Sequence, residues 1–396
     1  MAQESPDCIP DASRILAALV AAERRAVLVA TGGGAAAISH LVATPGASAA
    51  ILEGLVPYSR ASVDALLGGP QETYCSSRAA RRLAVMAWQR ACRFGATPEQ
   101  AVGAAVTASL KTTHPKRGDH RVVVALQTLA ATSVAHLVLE KDARARNDEE
   151  AIAAAILLAR LEAAATGSEP PSQVPGLRSG EMVDVDTMIA SPAWQDLFAG
   201  RRSLVGMLTA PPDGAAAGQP HENDAPAAGR LVFPGSFDPL HEGHLLMARV
   251  AEEIAERPVD YELSITNVDK PMLDYVAIRG RVAQFSGQRL WLTRAATFLE
   301  KLDLFPKSTF VMGADTFVRL ADPRYYGGSG EAARRAVERI AEEAAGLIVF
   351  GRARNGVFDD PSRLDVPPAL RRVAYFVSQR EFRCDLSSTH LRTEAR

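Results

Sequence analysis

Apolar and polar positions alternate along this chain in blocks that read as strand, then helix, many times over. Residues 12–25 place Ile15, Leu16 and Leu19 on one face and end in Glu23, Arg24 and Arg25, the pattern of an amphipathic helix. Residues 26–30 are an apolar run of strand length, closed by Thr31-Gly32-Gly33-Gly34, and a helical run over 35–42 follows at once. Residues 102–106 and 121–126 read as further strands, and 147–165 as a helix with Asn147 or Asp148 as cap and acids in its first turn. The last third is more regular. Strands are predicted over 231–233, 261–265, 290–292, 309–312, 347–350 and 373–377, and helices over 244–255, 276–285, 295–302 and 331–345. Such βαβ repetition implies a parallel sheet with helices on both faces.

Between these blocks the composition changes. Residues 166–180 are rich in Ser, Pro, Gly and Glu, marking a linker or long surface loop. Residues 182–208 carry Met188, Trp194, Leu197 and Phe198 without a clear period and are read as a connecting helix. Residues 210–229 read as a disordered linker. The expected fold class is therefore α/β in two domains, 1–167 and 230–396, joined by a connecting segment and linker over 168–229. A length of 396 residues agrees with two cores rather than one.

Composition narrows the function. With 47% hydrophobic and 23% charged residues the chain is a soluble globular type, and a formal net charge of −2 gives no reason to expect nucleic acid or an anionic membrane as partner. Cys8, Cys75, Cys92 and Cys384 show neither CxxC nor metal-ligand spacing, which suits reduced cysteines of an intracellular protein and no metal site. The acidic N-terminus suits no secretory signal or transit peptide. The greasiest stretch, 151–165, is interrupted by Arg160 and Glu162 and reads as a core helix rather than a membrane span. Cytoplasm is the expected location.

The chemistry concentrates where the strand over 231–233 gives way to a helix, in Leu231-Val232-Phe233-Pro234-Gly235-Ser236-Phe237-Asp238-Pro239-Leu240-His241-Glu242-Gly243-His244. Two histidines sit at a helix N-terminus, where free amides attract phosphate and imidazole can donate to charge building on phosphoryl oxygens. The stretch resembles the (T/H)xGH signature of the nucleotidyltransferase superfamily. Its longer form, GSFDPxHxGH, is similar to that of the nicotinate/nicotinamide mononucleotide adenylyltransferases and their pantetheine-phosphate and cytidylyl relatives. Gly313-Ala314-Asp315-Thr316 resembles the GAD segment of the mononucleotide adenylyltransferases, and Leu386-Ser387-Ser388-Thr389-His390-Leu391-Arg392 resembles their ISSTxxR signature.

The resemblance implies a doubly wound Rossmann-like sheet and transfer of AMP from ATP to a phosphorylated acceptor. His241 and His244 would be catalytic. Gly235, Ser236, Phe237, Gly243, Ser387, Ser388, Thr389 and Arg392 would hold ATP and its phosphates, and Gly313 and Asp315 the acceptor. Lys270, in the loop after the strand over 261–265, is a further acceptor candidate and equally a solvated loop lysine. Mg²⁺ would come with ATP.

The first domain carries a second resemblance. Thr31-Gly32-Gly33, Pro45-Gly46-Ala47-Ser48, Val56-Pro57-Tyr58-Ser59, Cys75-Ser76-Ser77-Arg78-Ala79-Ala80 and Ala105-Val106-Thr107-Ala108-Ser109 occur in that order. The series resembles the CinA C-terminal family, whose active members are nicotinamide mononucleotide deamidases, and implies an α/β/α sandwich over about 12–161. The family's active form reads Ser-Cys-Thr-Gly-Gly. Here Val29 stands at the nucleophilic serine and Ala30 at the cysteine, and the lysine expected after Tyr58-Ser59 is absent, Arg60 following instead. Thr31, Gly32, Gly33, Ser48, Tyr58, Ser59 and Thr107 would line a vestigial nucleotide pocket without deamidation.

Both halves thus point to nicotinate or nicotinamide mononucleotide as the acceptor. Two alternatives stay open: an adenylyl- or cytidylyltransferase for another phosphorylated acceptor, and a non-catalytic sensor or scaffold that binds pyridine nucleotides. Partners would be ATP and a mononucleotide-like small molecule, and assembly into a homo-oligomer is left open.

Overall fold

Two sheets organise the chain, one of six strands and one of eight. The structure is a computed structural model that describes residues 9–114, 116–169, 171–208, 220–221, 228–354 and 357–382. It divides into two units, Met1–Gln195 with Asp269–Val276, and Asp196–Val268 with Ala277–Arg396. The two-domain α/β class expected from the sequence is what the structure shows.

In the first unit the elements run α1 (Ala12–Ala21), β1 (Arg25–Thr31), α2 (Ala35–Val42), β2 (Ile51–Leu55), α3 (Arg60–Leu67), α4 (Ser77–Arg93), β3 (Ala101–Ser109), β4 (His120–Gln127), β5 (Ala131–Leu139), α5 (Arg146–Thr166) and β6 (Asp184–Ile189). The sheet order is β2-β1-β3-β4-β5-β6, with β1 parallel to both β2 and β3 and the remaining pairs antiparallel. β1 is buried along nearly its whole length, which is why it reads as an unbroken apolar run. Ala26, Leu28 and Ala30 of β1 join Val102, Ala104 and Val106 of β3 in a core shared with α1, α2 and α5. The neighbouring side chains on each strand turn to the opposite face, and there α4 packs with Leu83, Ala84, Ala87 and Trp88 buried.

Two expectations about the connecting stretch are corrected. β6 is a strand of the first sheet, and of the segment read as a connecting helix only α6 (Pro192–Ala199) is helical before β7 (Leu204–Leu208) joins the second sheet. The reason is geometric: β6 closes the sheet at an edge and leaves its residues half-buried or exposed, so no hydrophobic alternation marks it. Asp269–Val276, which follows a strand of the second sheet in sequence, belongs to the first unit. Tyr275 is fully buried there, donating from its phenol to Leu129 O at 2.6 Å and from its amide to Thr132 Oγ1 at 3.1 Å, while Asp274 pairs with Arg81 at 3.2 Å.

The second unit continues with β8 (Pro220–His221), β9 (Leu231–Pro234), α7 (Glu242–Ala255), β10 (Val259–Ser264), α8 (Tyr275–Val282, in this unit from Ala277), β11 (Arg289–Thr293), α9 (Phe298–Leu304), β12 (Thr309–Gly313), α10 (Ala314–Arg319), α11 (Gly330–Glu343), β13 (Gly346–Phe350), a small hairpin of β14 (Arg352–Arg354) and β15 (Val357–Asp359), α12 (Pro368–Val373) and β16 (Ala374–Val377). The main sheet runs β16-β13-β12-β9-β10-β11-β7-β8. All neighbours from β16 to β11 are parallel, and β7 and β8 add an antiparallel edge. The first parallel strand, β9, lies between the second, β10, and the fourth, β12. This is the doubly wound order, in which the chain leaves the centre in opposite directions and ligands bind at the carboxyl ends of the strands where it does so.

Two buried acids fix the strands on one side of that centre. Asp260 of β10 accepts from Arg230 at 2.6 Å and Trp291 at 3.1 Å. Glu262 pairs with Lys301 at 2.8 Å and accepts from Thr293. A buried charge is tolerated only when answered in this way.

Candidate active site

β9 and β12 stay in register only at Leu231–Thr309 and Val232–Phe310, whereas β9 and β10 remain paired as far as Pro234–Glu262. Beyond Val232, then, the two central strands part at their carboxyl ends. The segment leaving β9 carries His241 and His244, and the one leaving β12 carries Gly313 and Asp315. The topology brings these two motifs to one crevice.

The turn between β9 and α7 is built on Gly235 and Phe237. Gly235 donates to Glu262 O at 2.9 Å and extends the ladder by one bond. A Cβ on it would lie 2.5 Å from the Phe237 ring, so only glycine lets that ring fold back. Phe237 is fully buried, with ring centroids 5.6 Å from Phe233, 5.3 Å from His244 and 5.3 Å from Phe285. It was expected against ATP, but its ring lies inside the unit, as the floor on which His244 rests.

Two residues that sequence reasoning missed hold the turn from outside. Arg281 of α8 donates to Ser236 O at 2.9 Å and pairs with Asp238 at 3.2 Å. Gln284, just past α8, donates to Phe237 O at 3.0 Å and accepts from Leu240 N at 2.7 Å. Both lie in the helix predicted over 276–285, but nothing in the sequence signals which turn they meet. Ser236 is exposed and Gly243 is buried in the first turn of α7.

His241 is the N-cap of α7, in extended conformation, and accepts at its carbonyl from His244 N at 2.8 Å. Its own amide donates to Nδ1 of His244 at 3.3 Å, and the two rings stack with centroids 3.7 Å apart. Nδ1 of His244 is therefore an acceptor, and the neutral ring carries its proton on Nε2. Burial, reinforced by the neighbouring His241, pushes the His244 pKa down to about 4. The result is a neutral hydrogen-bond donor fixed at the start of a 14-residue helix.

Gly313 ends β12 in extended conformation, and Asp315 is exposed in the first turn of α10. Lys270 lies in the segment 269–276, which belongs to the first unit. Ser387, Ser388, Thr389 and Arg392 lie outside the described residues. Among the described residues no three His, Cys, Asp or Glu side chains gather as a metal site, and no helix is long and apolar enough to cross a membrane.

In the first unit Thr31 and Thr107 are register partners at the carboxyl ends of the parallel strands β1 and β3, so these two and the glycine turn do come together. Val29, the residue expected to stand in place of a nucleophile, is fully buried. Ser48 is exposed on a short turn, Tyr58 is 74% exposed, and Ser59 caps α3 by accepting from Ser62 N at 3.2 Å. The glycine turn is already filled. Glu150 of α5 accepts from Gly34 N at 2.8 Å and Ala36 N at 3.2 Å, taking the amides at the start of α2 that an anion would use. A Cβ on Gly32 would sit 2.0 Å from Ala108 O, so close packing against β3 accounts for glycine there.

Residues 232–394 match the sequence model of the cytidylyltransferase-like family, which supports nucleotidyl transfer as the general activity of the second unit. No curated protein matches the chain. Among solved structures, similar chains over the N-terminal part include competence-damaged protein (CinA) superfamily proteins. The one from Klebsiella pneumoniae is 17% identical, covers 39% of this chain and 96% of its own, and has a TM-score of 0.33. The one from Escherichia coli is 20% identical, over 40% and 92%, at 0.33. The competence/damage inducible protein CihA from Agrobacterium tumefaciens is 20% identical, over 41% and 98%, at 0.34.

Proposed function

We propose that the second unit transfers AMP from ATP to nicotinate or nicotinamide mononucleotide, releasing pyrophosphate. The observation that carries the reading is the stacked His241–His244 pair, with the His244 ring held neutral and oriented, at a helix N-terminus where β9 and β12 part. The acceptor's 5′-phosphate oxygen would attack the α-phosphorus of ATP in line with departing pyrophosphate. Little covalent chemistry falls to the protein, so positioning and charge stabilisation dominate. His244 Nε2–H would donate to the phosphoryl oxygens as charge builds there, aided by the amides of α7. Arg281 and Gln284 hold the turn that sets the position of both rings. Mg²⁺ would arrive on the triphosphate as part of the substrate.

A second reading, CTP as the donor, is favoured by the description of the matched family. One experiment separates the two: pyrophosphate release with ATP or CTP against a panel of phosphorylated acceptors that includes both mononucleotides. Release with ATP and a pyridine mononucleotide supports the first reading. Release only with CTP or another acceptor replaces it.

For the first unit we propose a retained CinA-like fold without deamidation. Val29 offers no nucleophile, Ser59 is engaged as a helix cap, and Glu150 covers the glycine-turn amides.

A further inference from the structure

We propose that Ser77 and His136 of the first unit form a nucleophile–base pair that cleaves ester bonds of small acyl substrates, at a site independent of nucleotidyl transfer. Ser77 Oγ lies 2.9 Å from His136 Nε2, and both residues are half-buried. Ser77 is the first residue of the 17-residue helix α4, but it does no capping. That role belongs to Ser76, whose hydroxyl accepts from Ala79 N at 3.2 Å and donates to Thr73 O at 2.9 Å. The Ser77 hydroxyl is thus spent on the imidazole alone. The first N–H groups of a helix lie outside its own ladder, and here that of Ala79 is taken by Ser76.

The sheet beneath supplies a second observation. Thr31, Thr107, Val123 and His136 are successive register partners across β1, β3, β4 and β5. Val106 and Ala108 belong to the core shared with α2 and α5, so Thr107 between them turns to the face that α4 covers. Cys75, two residues before Ser77, bonds through its thiol to Thr107 O at 3.5 Å, which puts Thr107 under the start of α4. The Thr107 hydroxyl is fully buried, with the Cys75 side chain against it. Asp184 stands opposite His136 in the β5–β6 ladder.

The chemistry closes on itself. Ser77 Oγ attacks the acyl carbon and its proton passes to His136 Nε2. The tetrahedral intermediate collapses, the bond to the alcohol oxygen breaks, and that oxygen takes the proton from His136. Water, deprotonated by the same ring, then releases the acid and restores Ser77. Ester and water give acid and alcohol, with no other reactant.

The test is covalent labelling of the full chain by a fluorophosphonate, with the adduct mapped by mass spectrometry and turnover of p-nitrophenyl acetate followed in parallel. An adduct on Ser77, its loss in Ser77→Ala, and labelling slowed about 100-fold or more in His136→Gln are expected. Pyrophosphate release by Ser77→Ala should equal that of the wild type, so failure here is distinguishable from failure of the nucleotidyltransferase reading. Absence of an adduct on Ser77 in the wild type, or labelling of His136→Gln at the wild-type rate, overturns the proposal. Both decisive readouts remain if Ser77→Ala does not fold.

Discussion

The main-chain amide of His241 donates to Nδ1 of His244 at 3.3 Å while the two rings stack at 3.7 Å. The first histidine therefore orients the second, and the pair acts as a unit. Single substitutions should be strongly non-additive. His244→Ala is expected to lower kcat about 100-fold or more, the typical loss of one transition-state donor. Adding His241→Ala to it should cost clearly less than His241→Ala costs alone. Steady-state kinetics on both single variants and the double variant measure this coupling.

The depressed pKa of His244 makes a prediction for acid stability. The folded state holds the ring neutral down to about pH 4, while the unfolded chain protonates it near the ordinary value of 6.5. Between these values the unfolded state binds more protons, so stability rises with pH there and is lost as pH falls from 6.5 through 4. Denaturant titrations at several pH values in this window should show a slope that is shallower in His244→Asn than in the wild type.

Gly235→Ala tests the floor of the site. A Cβ 2.5 Å from the Phe237 ring forces that ring out of a close-packed position, and overpacking of this kind costs about 1–3 kcal/mol. Because Phe237 supports His244, kcat should fall along with the melting temperature. A variant with wild-type Tm and kcat would show that the ring relocates freely.

Much of the fold was legible because its signals are local. β9, its turn and α7 follow one another within 25 residues, from Leu231 to Ala255, and each carries its own pattern of apolar residues or glycine and proline. The parallel strands β11 to β13 are buried and read as apolar runs for the same reason, whereas β10 alternates apolar residues with Asp260 and Glu262. β6 was hidden by its exposed edge position. β7 was hidden because Gly206 stands in its middle, where a Cβ would lie 2.6 Å from Trp291. The histidines of the candidate site could be named from the sequence, but the residues that hold their turn could not. Arg281, Gln284 and Glu150 act through the turns they meet, 45, 47 and 116 residues away along the chain in the contacts to Ser236, Phe237 and Gly34, and no spacing announces such partners.

In the first unit, the full-length protein should release no ammonia from nicotinamide mononucleotide, since Val29 cannot attack an amide. Glu150 should also keep anions from the start of α2. Glu150→Ala is expected to create phosphate binding detectable by titration calorimetry where the wild type shows none, because it frees the amides of Gly34 and Ala36. Ammonia release that survives removal of contaminating deamidase would make the hydroxyls of Ser59, Ser62 and Thr31 the candidates for a displaced nucleophile.

The most direct measurement of the central claim is acceptor-dependent pyrophosphate release from MgATP by the wild type and by the folded double variant His241→Ala, His244→Ala. Release by the wild type in the presence of nicotinate or nicotinamide mononucleotide, reduced at least 100-fold in the double variant, is the predicted result. Equal turnover by the two proteins would contradict it, and would move the active site away from the junction of β9 and α7.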